Sequence, residues 1–327
     1  MTTEILYAMT AEGVSLPIID VTHPQFAVKL SDAEIERLSG DFENQELQRR
    51  EMPSSCREAL QRSIIGKELM AAKGTYLSGM GIYRMKLGPE NPGADAHPID
   101  RSIAASFPAL MARVRLQDIA RLLADGLSRC ATATTPRPIC LINIGGGPAS
   151  DSWNALLSLR AEHPDLLEGR KLMIAVLDID DQGPAFGERA LEVLCAPHAP
   201  LRGLSVNFQY IKSDWSQTAS LQKSLLDLHA TETVCAVSSE GGLFEYGSDL
   251  EIVSNLQTIH HGTAPSTVVV GSVTRANEQT RATKDNLQVA THPRSLEGFR
   301  LLAREAGWIV QAVLERPFTF NLRLGKE

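Results

Sequence analysis

The chain has 327 residues, of which 43% are apolar and 22% charged, and carries a net charge of −7. That composition excludes disordered, collagen-like and coiled-coil chains, and the acidic balance argues against a nucleic-acid partner, which needs a basic face. At roughly 150 residues per domain, the length suits two domains, or one large domain with an added lobe.

From the N-terminus the pattern is mainly helical. Ser31 with Glu34, and Ser55 with Glu58, have capping-box spacing and open helices predicted over roughly 32–50 and 56–72. The stretch Gly74-Thr-Tyr-Leu-Ser-Gly-Met-Gly-Ile-Tyr-Arg-Met85 interleaves glycine with Tyr76, Tyr83 and Arg84. It reads as a packed loop, with a lid over a small substrate as the alternative. A third helix follows Pro108, with Leu110, Val114, Leu122 and Leu123 near one face. Residues 131–138, small, polar and proline-punctuated, read as a linker. The division expected is therefore a mainly helical N-terminal lobe over 1–130, covering the substrate, and a second domain over 138–327.

After the linker, strand and helix alternate. Apolar runs at 138–144, 171–178, 206–211, 233–238 and 266–273 read as strands. Pro148 and Pro184 suit first helical turns, Ser248 with Glu251 forms a further capping box, and Gly262 and Gly307 suit helix C-termini. Such alternation implies an α/β fold, a parallel sheet covered on both faces. Residues 308–314 and 318–324 read as a closing antiparallel hairpin turned at Pro317, which brings the sheet to seven strands. In its second strand Phe318, Phe320, Leu322 and Leu324 alternate with polar residues, the period of a half-buried strand.

Asn143-Ile-Gly-Gly-Gly-Pro-Ala149 follows the first of these strands and opens a helix. Glycine lets a ligand approach the backbone there, and a helix N-terminus offers free N–H groups to an anionic group. Two ligand classes use such a loop. A dinucleotide site wants G-x-G-x-x-G; Gly145 and Gly147 fit, but Ser150 stands at the last position. An S-adenosylmethionine site wants a looser G-x-G two residues after an acid, and here Asn143 stands for the acid. Asp178 ends the second strand, where an acid accepts from ribose hydroxyls in either class, and Asp180 is its rival. Asp178 lies beyond the ~20 residues usual for a dinucleotide, so an inserted loop is expected near 163–169. Asp214 in Lys-Ser-Asp-Trp suits an adenine amino group, with Trp215 packed against the base or a cationic ligand, or else a helix cap with a packed ring. Glu240, in Ser238-Ser-Glu-Gly-Gly-Leu-Phe-Glu-Tyr246, ends the fourth strand in the crevice where α/β folds bind ligands.

In this order the segments resemble a family: the class I S-adenosylmethionine-dependent methyltransferases, and within them the leucine carboxyl methyltransferase-like O-methyltransferases. Ala112-Arg-Val114 followed by Asp118 is similar to that family's A-R-[VT]…D helix, and Ile144-Gly-Gly-Gly147 to its L-G-x-G. Leu177-Asp-Ile-Asp180 resembles [ED]-x-D, Ser239-Glu-Gly241 near Tyr246 resembles E-G-x-x-x-Y, and Leu301 to Trp308 resembles L-L-x-x-A-G-[FW]. The resemblance covers roughly residues 108–327 and implies a Rossmann-like doubly wound sheet with S-adenosylmethionine as cofactor. It implies Arg113 on the cofactor's carboxylate, and Asn143, Gly145, Gly146 and Gly147 along its amino-acid end. Asp178 with Ile179 would lie at the ribose, Asp214 with Trp215 at the adenine, and Glu240 at the amino-acid portion. The reaction implied is direct displacement at the sulfonium methyl by a small-molecule acceptor. A carboxylate acceptor needs no general base; a hydroxyl or carbon acid needs one, and Glu240, Glu245, Tyr246 and the pair His260-His261 are the candidates.

Two rival readings are an NAD-dependent oxidoreductase and a protein that binds S-adenosylmethionine without turnover. The first is disfavoured by Ser150, by the mid-chain position of the glycine loop and by the terminal hairpin. Cys56, Cys130, Cys140, Cys195 and Cys235 are scattered, with no C-x-x-C pair, so reduced thiols in a cytoplasm are expected, with no bound metal. No basic flank precedes an apolar run near the N-terminus, and no apolar stretch approaches the ~20 residues that cross a bilayer, so neither a leader nor a membrane partner is expected. The oligomeric state is left open.

Overall fold

The computed structural model describes residues 4–48, 58–72, 75–131, 137–278, 280, 281 and 290–327. A short hairpin, β1 (Tyr7–Met9) with β2 (Ser15–Pro17), precedes helices α1 (Asp32–Gln48), α2 (Ile64–Ala71), α3 (Gly79–Lys86), α4 (Pro98–Ala104) and α5 (Phe107–Cys130). Then come β3 (Ile139–Ile144), α6 (Ser150–Glu162), β4 (Leu172–Asp178), α7 (Gln182–Cys195), β5 (Val206–Lys212), α8 (Ala219–Asp227) and β6 (Val234–Ser239). The chain ends with α9 (Leu243–Tyr246), α10 (Asp249–Gly262), β7 (Val268–Thr274), α11 (Leu296–Glu305), β8 (Trp308–Glu315) and β9 (Thr319–Lys326).

The seven strands from β3 onward form one sheet in the order β5-β4-β3-β6-β7-β9-β8. All neighbours are parallel except β9, which runs antiparallel to β7 and β8. From β3 the chain winds outward through β4 and β5, then crosses back to β6. The reversal leaves a crevice at the carboxyl ends of β3 and β6. The sheet is doubly wound and Rossmann-like, with a C-terminal antiparallel hairpin.

The strand period of two explains why both faces are covered. Ile139 and Leu141, Ile174 and Val176, Val234 and Ala236, and Val268 and Val270 join one core with Leu116, Ile119 and Leu123 of α5, Trp153 of α6 and Phe186 of α7. Their alternates Cys140 and Ile142, Ala175 and Leu177, Cys235 and Val237, and Val269 join a second core with Leu225 of α8, Ile252 and Leu256 of α10 and Phe299 of α11. Ala8, Leu16, Tyr83 and Leu87 from the N-terminal segment belong to the first core too.

Several expectations change. Ser31 and Glu34 do form a capping box, with Ser31 N donating to Glu34 Oε2 at 2.8 Å. Ser55 lies outside the described residues, and α2 begins at Ile64 behind the Ser63 cap. Of the stretch read as a loop, residues 79–85 fall in helix α3, nucleated by Ser78 Oγ, which accepts from Gly81 N at 2.9 Å, and Gly74 lies outside the described residues. Pro148 precedes its helix instead of opening it. Strand β9 is buried on both faces, not half-buried: Thr319, Asn321 and Arg323 are all under 9% exposed. Its polar side is matched by Asp118 of α5, which accepts from Asn321 Nδ2 at 2.8 Å and from Arg316 Nε at 2.7 Å. Cys130, Cys140, Cys195 and Cys235 are free thiols. Among the described residues no helix is long and apolar enough to cross a membrane.

Candidate functional site

The glycine loop leaves β3 at Ile144 and is pinned to the next strand, with Gly145 N donating to Leu177 O at 2.8 Å. Gly145 and Gly147 adopt φ of 64° and 53°, a left-handed conformation that other residues enter only at a cost. Ala149 follows at φ 60°, fully buried, so the turn into α6 carries strain. The loop is closely clothed by protein. A Cβ at 145 would lie 2.6 Å from the Trp215 ring, and one at 147 would lie 2.8 Å from the Gly79 Cα of α3. One at 146 would overlap the Asn143 side chain beneath it, at 1.4 Å.

Asp178 lies at the carboxyl end of β4, facing this loop. Its Oδ2 accepts from Gly147 N at 2.8 Å and its Oδ1 from Asp180 N at 3.0 Å. Burial raises the Asp178 carboxyl above its ordinary value, against those amides. Asp180 is half-buried, and its Oδ1 accepts from Gln182 N at 3.0 Å at the start of α7.

The cleft above the loop holds about 620 Å³ of space, its open mouth included. Of the residues singled out in the sequence, Gly145, Gly146 and Gly147, Asp178, Ile179 and Asp180, Trp215, Glu240 and Tyr246 line it. The N-terminal segment lines the other wall with Tyr76, Leu77, Gly79, Ile82 and Lys86.

The floor is a buried ionic network that the sequence did not foretell. Glu240 is held on one oxygen by Lys86 Nζ and on the other by Arg115 Nε, at 2.6 Å. Arg115 Nη1 donates at 2.9 Å to Glu245 Oε1, which also accepts from Ser272 Oγ at 2.6 Å. Burial alone would raise the Glu240 carboxyl, but Lys86 and Arg115 outweigh it and hold it below its ordinary value. Burial lowers the Lys86 amine, against the pull of Glu240. Below the loop, Asp151 of α6 accepts from Asn143 Nδ2 at 2.5 Å, and burial followed by the Glu240 charge pushes its carboxyl up to about 6.

Four expected site residues are placed elsewhere. Arg113 does not line the cleft; it packs beside Gly88, half-buried, with Nε unpartnered. Two residues along a helix is a turn of roughly 200°, and it is Arg115 that faces the site. Asn143 is fully buried under the loop, outside the lining. Asp214 is exposed, outside the lining, with Oδ1 accepting from Ser216 N at 2.9 Å. His260 stands at the opposite end of the sheet, packed edge-on against Trp308 with its carbonyl bound by Lys326. Burial and the neighbours Lys326 and His261 lower its imidazole. Burial, then Glu245, pushes Tyr246 up to about 12, so it is a neutral phenol at neutral pH.

No family model and no curated protein matches this chain. Among solved structures, a possible exported protein from Bordetella parapertussis is similar over 91% of this chain and 97% of its own, at 14% identity and a TM-score of 0.58. The likeness is one of fold. Magnesium protoporphyrin IX methyltransferase (ChlM) from Synechocystis PCC 6803 with bound SAH is similar over 68% of this chain and 89% of its own, at 12% identity and a TM-score of 0.44. The mitomycin 7-O-methyltransferase MmcR is similar over 80% and 67%, at 15% identity and a TM-score of 0.40. The chain spans about half the length, 46%, of the LepI structures it matches.

Proposed function

We propose that the chain is an S-adenosylmethionine-dependent methyltransferase acting on a small molecule. The observation that carries this reading is the clasp between Asp178 and the glycine loop, in the crevice of a sheet whose β9 runs antiparallel. Dinucleotide folds use the same crevice in six strands, and the reversed β9 within a seven-stranded sheet, together with Ser150, argues against the NAD reading.

The residues fit the cofactor. A carboxylate has about four lone-pair sites, and two amides leave Asp178 room for ribose hydroxyls. The loop backbone at Gly145 and Gly146 would meet the amino-acid end, with Lys86 as the nearby cation in place of Arg113. S-adenosylmethionine, when bound, supplies a methyl group activated by a sulfonium sulfur. The chain's own task is to orient the acceptor and exclude water, which suits a cleft roofed by α3. Both oxygens of Glu240 are engaged, Glu245 is bound by Arg115 and Ser272, and Tyr246 holds its proton. This commitment favours an acceptor that arrives ionised, so O-methylation of a carboxylate or acidic hydroxyl is proposed ahead of C-methylation. The compartment proposed is the cytoplasm, where free thiols stay reduced.

The test is a binding measurement. S-adenosylhomocysteine is expected to raise the melting temperature, and NAD to leave it unchanged, because a ligand that binds only the folded state stabilises it. Asp178→Ala is expected to lose calorimetric binding while retaining the wild-type circular dichroism. Absence of any response of the wild-type protein to S-adenosylhomocysteine overturns the reading.

A further inference from the structure

We propose that Asp151 and Asn143 are positioning residues, joined beneath the glycine loop, that set the height at which Gly146 meets a ligand in the cleft. Neither side chain lines the cleft, so each acts on a ligand only through the loop. Asn143, the last residue but one of β3, stands directly under Gly146. The three atoms nearest a Cβ built at 146 are its Oδ1, Cγ and Nδ2, at 1.4, 2.2 and 2.7 Å. Gly146, unlike Gly145 and Gly147, is not in the left-handed region. What bars a side chain at 146 is therefore Asn143 and not the backbone, so the two residues form a matched pair.

Asp151 fixes Asn143 in turn. Its Oδ1 accepts from Asn143 Nδ2 at 2.5 Å and from Ser152 N at 2.8 Å, which ties this prop to the first turn of α6. On the β4 side, Leu177 O and Asp178 Oδ2 accept from Gly145 N and Gly147 N, each at 2.8 Å. Gly146 lies between those two pinned amides, with the Asn143 side chain against it. The pair is poorly made for stability. Asn143 is 0% and Asp151 1% exposed, and Asn143 Oδ1 and Asp151 Oδ2 have no hydrogen-bond partner among the described residues. Buried acceptors left so are costly. What the pair supplies is position, the task of a support under a binding loop. The inference rests on the methyltransferase reading for its ligand and goes beyond it in naming residues that touch no ligand.

The experiment is calorimetric titration of the full chain with S-adenosylhomocysteine, below the melting temperature of each variant. Asp151→Ala leaves Asn143 Nδ2 unpaired and is expected to weaken binding about tenfold, whereas Asp151→Asn keeps the acceptor and is expected to stay within about twofold of wild type. Gly146→Ala is expected to lose more affinity than Asp151→Ala. Adding Asn143→Ala to it is expected to recover part of that loss, since the new methyl takes the space of Asn143 Oδ1. Unchanged affinity in Asp151→Ala, even with a lowered melting temperature, shows a role in stability alone and overturns the prop. An equal loss in Asp151→Asn, or a double variant no better than Gly146→Ala, overturns it too. Each of these leaves the methyltransferase reading standing; failure of the wild type to bind overturns both.

Discussion

Asp151 and Glu240 are buried acids with opposite effects on stability. Asp151 has a folded-state value of about 6 against an ordinary 3.8, so between those values the folded protein holds the extra proton. Stability therefore falls as pH rises through that window. Asp151→Asn keeps an acceptor for Asn143, and is expected to flatten this dependence and gain up to about 3 kcal/mol at pH 7. Urea unfolding between pH 4 and pH 7.5 reads it, and identical pH slopes in the two proteins would refute it. Glu240 is held low, so its contribution is present above the ordinary carboxylate value and is lost as pH falls through the folded-state one. Glu240→Gln leaves Lys86 and Arg115 buried and short of charge, and is expected to cost about 3–5 kcal/mol in the same unfolding measurement. The glycines and Asp178 were legible because their positions at strand ends are local. Lys86 and Arg115 were not, since they lie 154 and 125 residues from the carboxylate they bind. On a helical pattern a lone cation reads as a solvated face.

Helix α3 shows how packing overrides propensity. Its glycines weaken a helix in isolation, which is why the stretch read as a loop, yet Ser78 caps it and it is buried on two sides, through Tyr83 in the first core and through Met85 in a smaller cluster with Ile65 and Ala109. Gly79 lets its backbone touch the glycine loop. An added methyl would lie 2.7 Å from the Gly147 Cα, with backbone on both sides and little room to yield. Gly79→Ala is expected to cost about 1–3 kcal/mol and to weaken S-adenosylhomocysteine binding by shifting the loop. A melting temperature and affinity equal to wild type would show the contact dispensable. The hairpin was read correctly as antiparallel, but its place was hidden. Alternation in β9 marks two faces of different polarity, and only the tertiary partner Asp118 reveals that the polar one is also interior.

For the whole molecule, the strand–helix alternation was enough to predict a parallel sheet covered on both faces, while its doubly wound order was implied by the family resemblance alone. The order of strands in the sheet depends on long-range pairing, and local patterns do not encode it. Of the two lobes expected on either side of 131–138, the described residues of α5 and the hairpin of β1 and β2 share a core with the sheet. A chain cut to residues 138–327 would bare Ile139, Leu141, Val234 and Val268, and is expected to precipitate or to bind a hydrophobic dye. A soluble, cooperatively melting fragment would contradict this. During synthesis α5 must also wait for the strands it covers, because roughly a hundred residues of chain separate its end from β6. Its apolar stripe emerges from the ribosome long before its seat exists, an invitation to chaperones and a reason for slow maturation.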